Sequence, residues 1–198
     1  MSAKHSHAQR TPLVAITGGI GTGKSFVAQL LLEHGIQVYD CDAAAKRLLR
    51  EDIAIRKAMT QLIGPETYVD GKLQKQQVAA FLLKSEKNKQ QINAIVHPAV
   101  AKDFLQSGKQ WLESAILFES NFYKRVDFQY IICVSAPLEV RLQRICQRDH
   151  ISIEQAQSWI DRQWPQDDME AASDFIIHND GQQDIHQQIK EIIQQINT

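Results

Sequence analysis

A glycine-rich stretch near the start of the chain has the residue types and the spacing of a phosphate-binding loop. It follows the apolar run 13–16, precedes a helix-like run, and reads Gly18-Gly19-Ile20-Gly21-Thr22-Gly23-Lys24-Ser25. Its glycines let successive backbone N–H groups point into one concavity, where the positive end of the following helix also attracts anions. Lys24 can reach the β- and γ-phosphates of a nucleotide, and the Ser25 hydroxyl can hold Mg²⁺. The full pattern with its flanks predicts a nucleoside triphosphate site rather than a turn that merely joins a strand to a helix.

Two carboxylates, Asp40 and Asp42, come directly after a second short apolar run over residues 36–39. Because ligands of open α/β sheets gather at the carboxyl ends of the strands, this position lies at the same edge as the phosphate loop. A carboxylate there could orient or deprotonate an attacking hydroxyl, or hold Mg²⁺ through water. An Asx turn or a helix N-cap fits the position equally well. The residues alone leave both interpretations open.

Three arginines are spaced to form one stripe on a predicted helix. Arg141, Arg144 and Arg148 stand at i, i+3 and i+7, so they share a helix face. The planar guanidinium fork suits phosphate, and a lid that presents such groups over ATP would neutralise charge during transfer. The alternative is a solvated helix face. The phosphate loop upstream favours the functional interpretation.

Five apolar runs that predict strands alternate with helical patterns along the chain. The runs cover residues 13–16, 36–39, 111–118, 130–134 and 175–177. This alternation predicts a parallel sheet covered by helices on both faces. Between the second and third runs, the chain is polar and helical in pattern, which indicates a helical insertion in one α/β domain. One of its helices is expected to end at His97, because Pro98 disfavours helix in the residue before it.

Length and composition bound the remaining possibilities. A chain of 198 residues can build one sizeable core, and 22 Lys and Arg against 23 Asp and Glu leave no basic field that would indicate nucleic acid. Three cysteines without C-x-x-C spacing argue against disulfides or a zinc site and favour the reducing cytoplasm. No apolar run reaches membrane-spanning length. We expect residues 1–11, which lack an apolar signal core, to form a disordered tail.

Together, the order and spacing of these pieces resemble the dephospho-coenzyme A kinase family over nearly the whole chain, from Leu13 to the C-terminal helix. Beyond the phosphate loop, no single piece is specific to this family, but the order and spacing of the pieces along the chain are specific. The matching pieces are Asp40-Cys41-Asp42, Asp70-Gly71-Lys72-Leu73, His97-Pro98, Ile116-Leu117-Phe118-Glu119, Arg141-Leu142 with Arg144 and Arg148-Asp149, Gln163, and Asp174-Phe175-Ile176-Ile177 with Asn179 and Gly181.

The resemblance implies an α/β, three-layer P-loop kinase fold of the nucleoside-monophosphate kinase type, with a five-stranded parallel sheet. It implies one domain over residues 12–198, whose core covers about 12–50 and 111–198. A CoA-binding helical insertion would cover about 51–110 and a mobile lid about 138–170. The implied reaction is ATP-dependent phosphorylation of the ribose 3′-hydroxyl of dephospho-CoA, the last step of CoA biosynthesis, with Mg²⁺ as cofactor. We expect a cytoplasmic monomer or weak homo-oligomer that acts on two small molecules without nucleic acid or membrane.

The resemblance also assigns roles to residues of this chain. Asp40 takes the position of the catalytic carboxylate, and Lys24 acts with it on the phosphates. The acceptor substrate is expected to be bound by Asp40, His97 and Arg141, and the metal ion by Ser25. ATP binding is expected from Gly19, Gly21, Thr22, Gly23, Lys24, Ser25, Phe26, Arg144 and Arg148. The chain departs from the family pattern at Ala115, where Pro is usual, at Lys75, where Arg is usual, and in the acidic segment 166–170, which lacks the usual basic residues.

Three alternatives remain open. A nucleoside or nucleotide kinase of the same architecture would act on nucleosides or their monophosphates and not on dephospho-CoA. A nucleotide-binding switch would bind partners with little chemistry, but a GTPase lacks support because Asn88-Lys89-Gln90-Gln91 does not complete the guanine motif N-K-x-D. The third alternative is a protein that binds the nucleotide and has lost transfer; the intact Lys24, Ser25 and Asp40 argue against it.

Overall fold

A computed structural model of the protein describes residues 11–198. The disordered tail expected over residues 1–11 therefore lies outside the described residues, apart from Thr11. In chain order the elements are β1 (Val14–Thr17), α1 (Lys24–Glu33), β2 (Val38–Asp40), α2 (Cys41–Glu51), α3 (Ile53–Ile63), β3 (Tyr68–Val69), β4 (Lys72–Leu73), α4 (Lys75–Lys84), α5 (Glu86–Gln106), β5 (Trp111–Glu113), β6 (Tyr130–Ser135), α6 (Leu138–Asp149), α7 (Ile153–Ile160), α8 (Gln166–Ala171), β7 (Phe175–His178) and α9 (Ile185–Ile196).

The central sheet has five parallel strands in the order β2-β5-β1-β6-β7. Side chains of β1 alternate between two buried clusters, with Ala15 on one face and Val14 and Ile16 on the other. The first cluster contains Phe104 of α5, and the second contains Ile189 of α9. Helices therefore cover both faces, which confirms the predicted three-layer α/β fold with its five-stranded parallel sheet.

The strand order reverses direction at β1. From β1 the chain first builds β2 and β5 on one side and later β6 and β7 on the other. In a parallel sheet such a reversal opens a crevice at the carboxyl ends of the strands. Residues 18–25 follow β1 at this edge, Asp40 ends β2, and Glu113 ends β5. The topology therefore brings the phosphate loop and two strand-terminal carboxylates to one place.

Residues 51–110 form helices together with one small antiparallel hairpin. Strands β3 and β4 pair across Asp70 and Gly71, which have φ values of 48° and 76°. Positive φ at both central residues is the geometry of a type I′ turn. Leu48, Met59 and Phe104 share one buried cluster with a face of the central sheet. Within residues 11–198, no helix combines the length and the apolar character that a membrane crossing requires.

Two predictions about element ends are wrong. The third strand stops at Glu113, and the apolar side chains of Leu117 and Phe118 are buried from a turn rather than from a strand extending to residue 118. Helix α5 continues through Pro98 instead of ending at His97. Pro98 gives up one backbone hydrogen bond there. The buried residues that hold the helix on both sides of it outweigh that loss, namely Ile92, Val96, Val100, Ala101 and Phe104.

Candidate active site

The phosphate loop joins the end of β1 to the start of α1, and its shape requires glycine at two positions. Gly23 precedes the first residue of α1 with φ 93°, and Gly21 has φ 81°. A side chain at Gly21 would lie 2.8 Å from the backbone oxygen of Arg141, and one at Gly23 would collide with the amide of Asn179. Both the backbone conformation and the close approach of neighbouring elements therefore exclude larger residues.

Lys24 and Thr22 are held inside the loop. Lys24 is 9% exposed, and its Nζ donates to the carbonyl oxygens of Gly18 at 2.8 Å and Gly19 at 3.1 Å. Burial lowers the pKa of the Lys24 ammonium, while the carboxylates of the neighbouring acidic residues act in the opposite direction. Thr22 is buried, and its hydroxyl donates to Gly19 at 2.9 Å. The Thr22 hydroxyl thus bonds within the loop, whereas the Ser25 side chain is exposed.

A cavity of about 550 Å³ opens beside the loop. Side chains from four parts of the chain converge on it: the phosphate loop, the start of α2, the end of β5 and helix α6 with the segment after α7. Its lining includes Ile20, Gly21, Gly23, Lys24, Ser25, Asp42, Glu113, Arg144, Arg148 and Gln163. The cavity therefore combines an anion-binding loop, two carboxylates and two guanidinium groups in one cleft.

The carboxylates that line this cleft are Asp42 and Glu113. Asp40 ends β2 and caps α2, because its Oδ1 accepts the backbone N–H of Ala43 at 2.8 Å. Asp42 follows in the first turn of α2 and lines the cleft together with Lys24. A catalytic role for Asp40 stays a prediction. The geometry favours Asp42 for that role and gives Asp40 the capping role that the sequence left open.

Glu113 is a site residue that the sequence did not predict. It ends β5 beside Asp40 of β2 and lines the cleft. Burial raises the pKa of the Glu113 carboxyl, an effect that Lys24 opposes and Asp40 and Asp42 reinforce. A carboxylate at the end of a strand was the feature that could have identified it. The strand was predicted to continue to residue 118, so its carboxylate was expected at Glu119, directly after the run, and not at Glu113.

Two of the three arginines of the predicted stripe reach the cleft. Arg144 and Arg148 line it, and Arg144 Nη1 donates to the carbonyl oxygens of Gly21 and Thr22 at 3.3 Å each. Arg148 also pairs with Asp149 at 2.7 Å. Both side chains therefore lie beside the loop, and the ATP-binding roles expected of them stay predictions.

Arg141 is not among the residues that line the cleft, and the acceptor contact expected of it stays a prediction. It is 5% exposed, and its Nε donates to the carbonyl oxygen of Ile20 at 2.9 Å while its Nη1 donates to Gln166 at 2.9 Å. Arg141 stands in the first turn of α6, and Arg148 lies about 10 Å farther along the helix axis. The first turn therefore packs against the phosphate loop, and this guanidinium supports the loop.

Phe26 and His97 are not among the residues that line the cleft. Phe26 lies in the first turn of α1 and is 46% exposed. His97 lies in α5 with its ring edge toward Phe122 at 5.9 Å, and its Nδ1 is buried with no hydrogen-bond partner among the described residues. Burial, together with the charge of Arg125, lowers the pKa of His97 to about 4. The acceptor contact expected of His97 stays a prediction.

Mild acid is expected to destabilise the protein through His97. The unfolded chain binds a proton near the ordinary pKa of about 6.5, whereas the folded protein excludes it until the pH falls to about 4. The free energy of unfolding should therefore fall as the pH drops through this window. Replacing His97 by Gln should remove part of that fall, measured as urea midpoints at about pH 7.5 and about pH 5. His34→Gln, at an exposed position, is the control, and equal pH dependence in all three proteins would contradict the prediction.

Two further residues contact the loop without having been assigned a role from the sequence. Asn179 Nδ2 donates to the carbonyl oxygen of Thr22 at 2.8 Å, and its backbone N–H donates to Ser135 at 2.8 Å. Gln163 Oε1 accepts the backbone N–H of Ile20 at 2.6 Å. The bonds to Ile20 and Thr22 join parts of the chain more than a hundred residues apart. Both amides belong to the pieces that match the family pattern, but nothing in the sequence indicates which groups of the loop they bond.

Comparison with known proteins shows which family and which solved structures this chain resembles. A family model described as dephospho-CoA kinase matches residues 12–184. The dephospho-CoA kinase of Bacteroides fragilis is 41% identical over 187 residues, which cover 91% of this chain and 90% of that protein. The crystal structure of TT1252 from Thermus thermophilus has a TM-score of 0.81 at 27% identity and covers 96% of this chain and 100% of that one. The dephospho-CoA kinase from Campylobacter jejuni has the same fold, with a TM-score of 0.65 at 23% identity, covering 93% and 96%.

Proposed function

The chain belongs to the dephospho-CoA kinase family, and we propose that it transfers the γ-phosphoryl group of ATP to the ribose 3′-hydroxyl of dephospho-CoA. The observation that carries this proposal is the single cleft that joins the phosphate loop, Asp42 and the guanidinium groups of Arg144 and Arg148. Phosphoryl transfer needs a positioned triphosphate, compensation of its charge and an oriented hydroxyl. In this cleft the loop would position the triphosphate, Arg144 and Arg148 would compensate its charge, and Asp42 would orient the hydroxyl.

The triphosphate is bound from the loop side. Backbone N–H groups between Gly21 and Ser25 and the positive end of α1 attract the β- and γ-phosphates. Lys24 exchanges its present bonds to the carbonyl oxygens of Gly18 and Gly19 for phosphate oxygens. Arg144 and Arg148 approach from α6 and compensate the charge on the transferred group. ATP is thus held between the loop and α6.

The acceptor hydroxyl is oriented from the other side of the cleft. Asp42 accepts the proton of the 3′-hydroxyl as that oxygen attacks the γ-phosphorus and the bond to the β-phosphate oxygen of ADP breaks. Glu113 lines the same cleft, where burial raises the pKa of its carboxyl. Asp40 supports this arrangement by fixing the first turn of α2.

The oxygen donors of the cleft fit Mg²⁺ as the cofactor. The exposed Ser25 hydroxyl and the carboxylates of Asp42 and Glu113 line the same cavity, and hard oxygen ligands are those that this ion prefers. We assign Ser25 as the protein residue that would hold it with the phosphates. Bound there, Mg²⁺ would neutralise part of the charge between the β- and γ-phosphates.

The wider assignments complete the proposal. Residues 12–198 form one kinase domain in which segment 51–110 binds the CoA portion of the acceptor and segment 138–170 acts as the lid. The support is that segment 51–110 adjoins the carboxylate side of the cleft through α2, while α6 in the lid segment carries the two arginines. The protein is proposed to be cytoplasmic and a monomer or weak homo-oligomer.

An acceptor panel tests the proposed function. ADP release is measured at saturating ATP with dephospho-CoA, adenosine, AMP and pantetheine as acceptors. Release with dephospho-CoA alone is the expected result, and phosphate should appear on the 3′-oxygen of its ribose. Release with adenosine or AMP but not with dephospho-CoA would identify a nucleoside or nucleotide kinase instead. Binding of ATP with no release for any acceptor would favour the nucleotide-binding switch.

A further inference from the structure

Both backbone polar groups of Ile20, at the tip of the phosphate loop, are held by side chains from distant parts of the chain. The Ile20 N–H donates to Gln163 Oε1 at 2.6 Å. The Ile20 carbonyl oxygen accepts from Arg141 Nε at 2.9 Å. A glycine-rich loop has few contacts of its own to fix its shape, because it lacks the side chains that would pack it. These two external bonds therefore fix the peptide groups around Ile20.

The bonds from Gln163 and Arg141 to Ile20 form a clamp on the loop. Arg141 forms one side of this clamp. It is buried behind the loop, and Gln166 Oε1 accepts a second bond from its guanidinium at 2.9 Å. The amide of Gln166 in turn donates to the hydroxyl of Ser135 at the end of β6 at 2.7 Å. Arg141 and Gln166 are thus joined to the end of β6 through the Ser135 hydroxyl.

Gln163 forms the other side of the clamp. It lies at intermediate exposure in the short segment between α7 and α8. The next residue, Trp164, stacks on Phe118 with ring centroids 5.1 Å apart, and its backbone N–H donates to Glu119 at 3.1 Å. Gln163 therefore reaches Ile20 while the Trp164 segment is docked on the turn that follows β5.

We propose that Gln163 is a positioning residue for the kinase reaction, which holds the Ile20 peptide against Arg141 and so keeps the tip of the phosphate loop in the shape that binds the triphosphate. This inference rests on the proposed function in taking ATP as the ligand of the loop. Docking of the Trp164 segment and ATP binding then favour each other, because the same loop shape is required by both. Undocking leaves the Ile20 N–H without its acceptor and lowers the affinity for ATP.

The test removes the side-chain oxygen of Gln163 that accepts the Ile20 N–H, while keeping the length of the side chain. Gln163→Met is expected to raise the KM for ATP about fivefold, the effect of losing one hydrogen bond, and to leave kcat and the KM for dephospho-CoA within about twofold. Hydrogen exchange of the Ile20 amide should become faster in the same variant. Gln157→Met is the matched control, because the Gln157 amide in α7 donates to Asp161; it should match the native protein in both measurements.

A second variant separates positioning from general damage. Gln163→Glu keeps an acceptor for the Ile20 N–H and should restore slow exchange of that amide. Exchange at Ile20 that stays slow in Gln163→Met, or a fall in kcat with an unchanged KM for ATP, would overturn the proposal. This test of Gln163 does not depend on which molecule accepts the phosphoryl group. If dephospho-CoA is not phosphorylated, the proposed function fails, while amide exchange and direct titration with a non-hydrolysable ATP analogue still decide the role of Gln163.

Discussion

Asn in place of Asp42 is expected to lower kcat by about 10² to 10⁴-fold, the range for loss of a general base. Asn keeps the shape of the side chain but cannot take the proton of the acceptor hydroxyl. Asp42 lines the cleft beside Lys24, and its substitution leaves the loop contacts of ATP in place. The affinity for ATP should therefore stay within about threefold of the native value. Steady-state kinetics with dephospho-CoA and calorimetric titration with an ATP analogue measure the two effects.

Asp40→Asn is the control that separates the two carboxylates of this segment. Asn is as good an N-cap as Asp, so it can still accept the Ala43 N–H and preserve α2. Near-native kcat and thermal stability are expected for this variant. If instead Asp40→Asn loses turnover and Asp42→Asn does not, the general-base role belongs to Asp40, as the family resemblance implied.

The distinction between these carboxylates shows where sequence reasoning stopped. The position of the phosphate loop between β1 and α1 could be predicted because its pattern lies in eight consecutive residues. The choice between Asp40 and Asp42 depends on where α2 begins, which the capping bond from Ala43 decides. Each residue of a helix turns the side-chain direction by about 100°, so a helix start that is uncertain by one residue changes which carboxylate faces the cleft.

The end of β5 was missed for a related reason. The apolar run from Trp111 to Phe118 has the composition of a buried strand, and both Leu117 and Phe118 are indeed buried. They are buried from a turn, however, and periodicity does not distinguish a buried strand from a buried turn. Glu113 was therefore hidden inside a predicted strand, although its position at a strand end is what makes it a cleft residue.

The contacts of Arg141 and Gln163 could not be predicted at all. Helical spacing correctly grouped Arg141 with Arg144, but it gave no information on which element the first turn of α6 faces. The partner of both residues is Ile20, more than a hundred positions away. Such bonds follow from how the sheet order brings β1 and β6 together, and that is a property of the whole fold.

Met in place of Lys24 is expected to lower kcat/KM for ATP by about 10³-fold, because a charged donor aimed at the transferred phosphate is lost. The free protein should not lose stability. Lys24 is buried, and burial already lowers the pKa of its ammonium, so an apolar side chain of similar length removes a desolvation cost. The loss of activity should therefore occur without a loss of stability.

Three measurements on one variant test this. Kinetics and ATP-analogue titration should show weaker binding and slower transfer, and the urea midpoint of the free protein should be unchanged or higher. Lys190→Met, at an exposed position of α9, is the control and should match the native protein throughout. A loss of stability in Lys24→Met would mean that the bonds from Nζ to Gly18 and Gly19 outweigh the cost of burying the charge. Unchanged kinetics would remove the phosphate loop from the reaction, because the proposed role of the loop depends on this ammonium group.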